Sequence, residues 1–347
     1  MNRHQQHRPF SGPGAARSEA INTLLEEFAG TENHDLLAEM IITICRLGKD
    51  ATGRGDVKIL NTALKELRYA FKVFGPYRDT RKVSIFGSSR TPEGHPQYEA
   101  AVEYARLMTV AGWMVITGAG DGIMRAGHHG AKREASFGVA IRLPFEQATN
   151  TIIANDAKLI NFKYFFTRKL MFLKEADAIA LFPGGFGTQD EGFEALTLIQ
   201  TGKAHLMPVV LVDEPGGTYW DHWKQYVEAE LLAKGMIGVE DFNLFHITDQ
   251  PEEAVAHATQ FYRRYHSSRF VGDILVIRLT SPLKPEHVEQ LNDTYTNILA
   301  EGRIETTPGP IDGEFDEWPE YPRVVMHFNR LNIGRLRQMV DDINAFD

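Results

Sequence analysis

The segment Ala178-Ile179-Ala180-Leu181-Phe182-Pro183-Gly184-Gly185-Phe186-Gly187-Thr188-Gln189-Asp190-Glu191 runs from an apolar strand through a glycine turn into a helix. Such a turn sets backbone N–H groups at a helix start, where they can hold a phosphate, and it delivers the Glu191 carboxylate beside them. Three glycines, a hydroxyl and two acids around one helix start exceed what a tight turn needs. The segment therefore reads as an anion-binding turn with a reactive acid. It lacks the Lys-Ser/Thr pair of an ATP-binding P-loop, which argues against nucleoside triphosphate chemistry.

Three further stretches carry residues of the same kind. Gly87-Ser88-Ser89-Arg90 follows an apolar run and offers small residues, hydroxyls and a guanidinium to an anion. Thr117-Gly118-Ala119-Gly120-Asp121-Gly122 invites a dinucleotide reading. The frame from Gly118, however, needs glycine where Ile123 stands, and no acidic partner follows at the expected distance. It keeps the simpler role of a helix start that meets one phosphate or ribose. Phe165-Phe166-Thr167-Arg168-Lys169 sets two cations on a helix that is otherwise apolar toward Met171, Phe172 and Leu173. Histidine offers no metal motif: HExxH is missing, and His128 and His129 diverge by about 100° on a helix.

These four stretches must be positioned by a regular scaffold. Beyond Arg81, short apolar runs at Val83–Phe86, Met114–Thr117, Val139–Leu143, Ala178–Phe182, Val209–Val212 and Leu244–Ile247 alternate with helical patterns near Pro96–Ala111, Ile123–Glu134, Tyr164–Glu175, Thr188–Thr201, Tyr219–Ala233 and Glu252–Arg264. That rhythm predicts an α/β fold with a parallel sheet and crossover helices. Strands apolar on both faces make the sheet doubly wound. In such folds ligands bind at the carboxyl ends of the strands, where the loops above converge.

Around this core, residues 1–17 read as a disordered tail, with Arg3, Arg8 and Arg17 but broken by Pro9, Gly12, Pro13 and Gly14. Residues 18–80 read as a helical extension, its last helix capped by Asp56 and ended by Gly75-Pro76. The nucleotide-binding, catalytic part spans 81–265. Residues 266–347 form a small α/β appendage of βαβα type: strand Ile274–Leu279, helix Glu286–Leu299, a loop from Glu301 to Pro322, strand Arg323–Phe328 and helix Ile333–Phe346. The loop acids Glu314, Asp316, Glu317 and Glu320 read as a solvated surface.

Bulk properties narrow the function classes. The 347-residue chain has a net charge of −9, which argues against binding a nucleic-acid polymer. Its single cysteine, Cys45, excludes an intrachain disulfide and a cysteine-built zinc site. No apolar run of about 18 residues offers a membrane span, and a cytoplasmic protein is expected.

At the motifs quoted above the chain resembles the LOG-type proteins, cytokinin riboside 5′-monophosphate phosphoribohydrolases often mislabelled lysine decarboxylases. The family pattern PGGxGTxxE is matched in full by Pro183–Glu191. The similarity extends through Ile85–Ser89, Gly118–Met124, Leu143-Pro144-Phe145-Glu146-Gln147 and Phe162–Met171 to Leu196–Lys203, roughly residues 81–215, in the manner of the longer bacterial branch. Ala119 and Asp121 stand where the family often has glycine and proline.

The resemblance implies a Rossmann-like fold, a homodimer or higher homo-oligomer, and hydrolysis of the N-glycosidic bond of a nucleoside 5′-monophosphate, AMP among them, without cofactor or metal. It implies Glu191 and Arg168 as the catalytic pair. Gly87, Ser88, Ser89, Thr117, Gly118, Gly120, Lys169, Gly184, Gly185, Gly187 and Thr188 are the expected substrate contacts. The competing reading is a non-catalytic nucleotide sensor whose terminal segments transmit a signal. Pyridoxal-phosphate decarboxylation, the chemistry of the inherited label, would need a Schiff-base lysine such as Lys169, and the motif offers no distinctive pocket for that cofactor.

Overall fold

The structure, a computed structural model, describes residues 23, 24, 26, 33–142, 149–314 and 318–347. The tail 1–17, the 143–147 stretch, Asp316 and Glu317 lie outside the described residues. The chain divides into two compact units, residues 1–65 and 66–347. Helix α1 (His34–Lys49) belongs to the first and buries none of its residues. Helix α2 (Arg54–Phe74) begins two residues before Asp56, which sits in its first turn rather than capping it. Its C-terminal end buries Ala70 and Phe74, and Phe74 stacks on Phe137 at 4.4 Å between centroids.

Strands β1 (Lys82–Phe86), β2 (Met114–Thr117), β3 (Ser136–Ile141), β4 (Leu159–Phe162), β5 (Ala178–Leu181), β6 (Val209–Val212) and β7 (His246–Thr248) form a seven-stranded parallel sheet in the order β4-β3-β2-β1-β5-β6-β7. Side chains alternate across it, and both faces are apolar. Ile179, Leu181, Val209 and Leu211 enter one buried cluster, while Ala178, Ala180, Val210 and Val212 enter another. This is the period of two expected of strands covered on both sides. The covering helices are α3 (Pro96–Val110), α4 (Ile123–Ala131), α5 (Phe165–Lys174), α6 (Phe186–Gln200), α7 (Tyr219–Tyr226) and α8 (Pro251–Gln260). The fold is the Rossmann-like, doubly wound α/β arrangement.

The chain winds outward from β1 to β4 and then returns to the other side of β1 with β5. The strand order therefore reverses between β1 and β5, the place where open α/β sheets hold ligands. Phe86 pairs with Leu181 at the ends of these strands, so the Gly87 and Pro183 turns leave the sheet side by side.

The C-terminal region departs from the expected βαβα pattern. It is an antiparallel sheet, ordered β10-β11-β9-β8, of β8 (Tyr265–Val271), β9 (Ile274–Leu279), β10 (Leu299–Thr307) and β11 (Arg323–Phe328), with helices α9 (Pro285–Thr294) and α10 (Ile333–Ala345). Two strands were not foreseen here: β8, whose polar Tyr265–Val271 run gives no apolar signal, and β10, which occupies the start of the expected loop. β10 forms because Leu299 through Thr307 pair along β11, with irregularities around Glu301. Strand β4, at the edge of the main sheet, gives no apolar run because the exposed Asn161 interrupts it.

Glu314 corrects the expectation of a solvated acidic loop. Its side chain is fully buried between Arg278, whose Nη2 lies 2.6 Å from Oε1, and Arg323, whose Nε lies 3.3 Å from Oε2. Burial alone would push this carboxyl up, but hydrogen bonds from Arg323 and Arg278 outweigh it and hold it below the ordinary range. Removing one member of a buried ionic group leaves uncompensated charge. Glu314→Gln is therefore expected to cost about 3 kcal/mol, measured as a lower denaturant midpoint at unchanged slope.

Candidate functional site

The turns after β1, β2 and β5 are tied together by main-chain hydrogen bonds. Ser88 N–H donates to Pro183 O at 3.1 Å, and Ser88 O accepts from Ile123 N–H at 3.0 Å. Ser88 thus joins the Gly118–Gly122 turn to the Pro183–Thr188 turn. Gly184 is required by this closeness, since a Cβ there would lie 2.1 Å from Thr188 Oγ1 and 2.9 Å from Ser88 N. Behind the turn, Tyr219 Oη donates to Gly184 O and accepts from Gln189 Nε2, both at 2.6 Å. Asp213 in turn accepts from Tyr219 N–H at 2.8 Å and so fixes the start of α7.

These turns border a cleft of about 800 Å³, the size of a small-molecule site. Gly87, Ser88, Ser89, Gly118, Arg168, Gly184, Gly185, Gly187, Thr188 and Glu191 all line it. At its glycine wall the N–H groups of Phe186 and Gly187 stand in the first turn of α6, without intrahelical acceptors and at the positive end of the helix. Arg90, which is exposed, lies on the same cleft.

The two charged residues differ in how they are held. Arg168 Nε donates to Val139 O at 2.8 Å, and its guanidinium lies 5.1 Å from the Phe172 ring centre. Burial pulls its pKa below the ordinary value while Glu191 raises it; a guanidinium stays charged regardless. Glu191 is 11% exposed, with Lys169 Nζ 4.0 Å from its Oε2. Burial, the largest influence, pushes the Glu191 carboxyl up to about 7, although Lys169 and Arg168 pull it down. A carboxylic acid that titrates at neutral pH beside fixed donors can exchange a proton or stabilise positive charge as it ionises.

Three expected contacts are placed differently. Thr117 is fully buried, with its hydroxyl 3.0 Å from His128 Nε2 and accepting from Ala119 N–H at 3.0 Å, so it shapes the turn from beneath. Gly120 is held by its carbonyl, which accepts from Asn150 Nδ2 at 2.9 Å. Lys169 is engaged by carboxylates, at 2.7 Å from Asp190 and 2.6 Å from Glu194, and it meets the cleft through the lining acids Asp190 and Glu191. Neither Thr117, Gly120 nor Lys169 lines the cleft.

Sequence reasoning had not singled out Met124, Gln189 or Tyr219 on the cleft wall. Met124 and Gln189 lie inside motifs already noted, but Tyr219 comes from a helix without any signature. Among the described residues no group of three His, Cys, Asp or Glu side chains is placed to hold a metal ion, and no helix is long and apolar enough to cross a membrane.

Comparison with known proteins bears on this site. No curated protein matches the chain. Similar solved structures include the molybdenum cofactor carrier protein from Chlamydomonas reinhardtii, at 19% identity over 52% of this chain and 97% of that one, with a TM-score of 0.37. The structural genomics target TM1055 has 23% identity over 52% and 99%, with a TM-score of 0.38. The molybdenum cofactor binding protein from Rippkaea orientalis has 19% identity over 51% and 93%, with a TM-score of 0.36. Residues 119–258 match the family model described as possible lysine decarboxylase. The matched stretch contains both Arg168 and Glu191, and with them the whole Pro183–Glu191 motif.

Proposed function

We propose that the protein hydrolyses the N-glycosidic bond of a purine nucleoside 5′-monophosphate, AMP or a close relative, to the free base and ribose 5-phosphate. The observation that carries this reading is one cleft lined together by the Glu191 carboxyl, whose partial burial pushes it up to about 7, the glycine turn at the start of α6, and Arg168, held by its Nε. Breaking the C1′–N bond builds positive charge on the ribose ring, and an ionised Glu191 near C1′ stabilises that charge and orients water. The water oxygen bonds to C1′ and its proton leaves with the base. The 5′-phosphate takes the N–H groups at the start of α6. Arg168 holds the phosphate or ribose from α5.

The direct test is to incubate the protein with AMP, GMP, CMP and UMP and to resolve base and ribose 5-phosphate by chromatography. Release of adenine or guanine with stoichiometric ribose 5-phosphate is expected, and no release from any of the four would refute the reading. Because the ionised carboxylate is the active form, kcat/KM should rise with pH through about 7 and level off above. The residual activity of Glu191→Gln should lack this inflection. A profile flat from acid to neutral pH would remove Glu191 from that role.

A homodimer is proposed with this activity. Phe186 is 96% exposed at the cleft, and Phe165, Phe166 and Leu170 project exposed from α5, a concentration of apolar surface that association would cover. Sedimentation equilibrium should give twice the chain mass.

A further inference from the structure

A second cavity, of about 170 Å³, lies among α6, α7, the π-helical turn Val227–Leu232 and the 3-10 turn Val239–Leu244. Phe193, Leu196, Trp223, Val227, Leu231 and Phe245 make it largely apolar. Its polar pair is satisfied internally, since Gln200 Nε2 donates to Asp241 Oδ2 at 2.7 Å and the same oxygen accepts from Gly238 N–H at 2.9 Å.

Trp223 is different. Its Nε1–H is buried and has no acceptor among the described residues. The indole is fixed in place by ring contacts with Phe193 at 5.7 Å, Trp220 at 5.9 Å and Phe245 at 5.2 Å, so it cannot easily turn to find one. Buried donors are nearly always paired, and an exception beside a cavity calls for a missing acceptor. An apolar pocket of this size has room for a benzene-sized molecule. The wall also contains a π-helical stretch, a rare element that concentrates at functional sites.

We propose that this cavity is a binding site for a small, flat, mainly apolar molecule built on a single benzene-sized ring with one hydrogen-bond acceptor, such as an aryl ketone, the acceptor being taken by Trp223 Nε1–H. The site is separate from the nucleotide cleft but shares its helices. Phe193 follows Glu191 by two residues on α6, and Trp223 follows Tyr219 by one turn on α7. A molecule seated here presses on the two helices that bring Glu191 and Tyr219 to the cleft.

Acetophenone is the probe. The full chain labelled with nitrogen-15 tryptophan gives indole signals from Trp113, Trp220, Trp223 and Trp318, and Trp223→Phe identifies that of Trp223. Acetophenone should move the Trp223 indole proton downfield and saturably, with a dissociation constant on the order of 1 mM. Ethylbenzene, of similar shape but without the acceptor, should not produce the downfield displacement. Leu231→Phe, which fills the cavity, and Thr197→Phe, which narrows its exposed rim, should each weaken the effect at least tenfold, so that one suffices if the other fails to fold. A Trp223 signal that does not move, that moves equally with ethylbenzene, or that responds with unchanged affinity in the filled variants overturns the proposal.

Discussion

Glu191→Gln is expected to lower turnover of AMP by about 10³-fold while changing the Michaelis constant little, because it removes a charge needed only as the ribosyl cation develops. The same substitution should make the folded protein more stable above neutral pH. The free carboxyl titrates at 4.5 and the folded one at about 7. Between those values the folded state holds more protons than the unfolded state, so stability falls as pH rises through this window. Above it, the buried carboxylate costs about 3 kcal/mol relative to its neutral form. Glutamine resembles the neutral form and escapes that cost. Thermal unfolding should show the variant gaining on the wild type from pH 5 to pH 8. A variant both inactive and less stable at pH 8 would point to damaged packing instead of lost chemistry.

The site was more legible than the regions around it, for physical reasons. Strands buried on both faces announce themselves as apolar runs, so β1, β2, β5 and β6 were readable nearly to the residue. The glycines between strand and helix mark where chain segments approach too closely for a side chain, as Gly184 does beside Thr188 and Ser88. Gly87, Gly118, Gly184 and Glu191 could therefore be assigned to one place from sequence. Tyr219 could not, since nothing local distinguishes it; its role comes from the crossing of α7 behind Gly184. Thr117 and Lys169 mislead for a different reason. Their residue types suit a phosphate, but His128 and Ala119 engage the first, and Asp190 and Glu194 the second. The polar strands β8 and β10 are likewise decided by partners distant in sequence, which a local pattern does not record. Glu314 looked like one acid of a solvated run and is instead the centre of a buried ionic group.

Arg168→Lys should be nearly as damaging as the loss of Glu191, about 10²-fold in kcat/KM, although charge is retained. In the wild type the Nε–H bond to Val139 O orients the guanidinium, leaving the fork of terminal nitrogens for the substrate. Lysine lacks that anchoring N–H and offers one mobile point charge. A second substitution separates orientation from charge. At Gly118 a Cβ would come 2.4 Å from Arg168 Nη2 and 2.7 Å from Met124 Sδ, both ends of flexible side chains. Gly118 has no left-handed backbone to strain, so Gly118→Ala should fold with stability within about 1 kcal/mol of the wild type. The displaced guanidinium should still lower kcat/KM by at least tenfold. If Arg168 acted only through its charge, Gly118→Ala and Arg168→Lys would both remain close to full activity. If its position matters as the Val139 bond implies, both lose activity, and Arg168→Lys loses more because no side-chain movement can restore a bidentate grip.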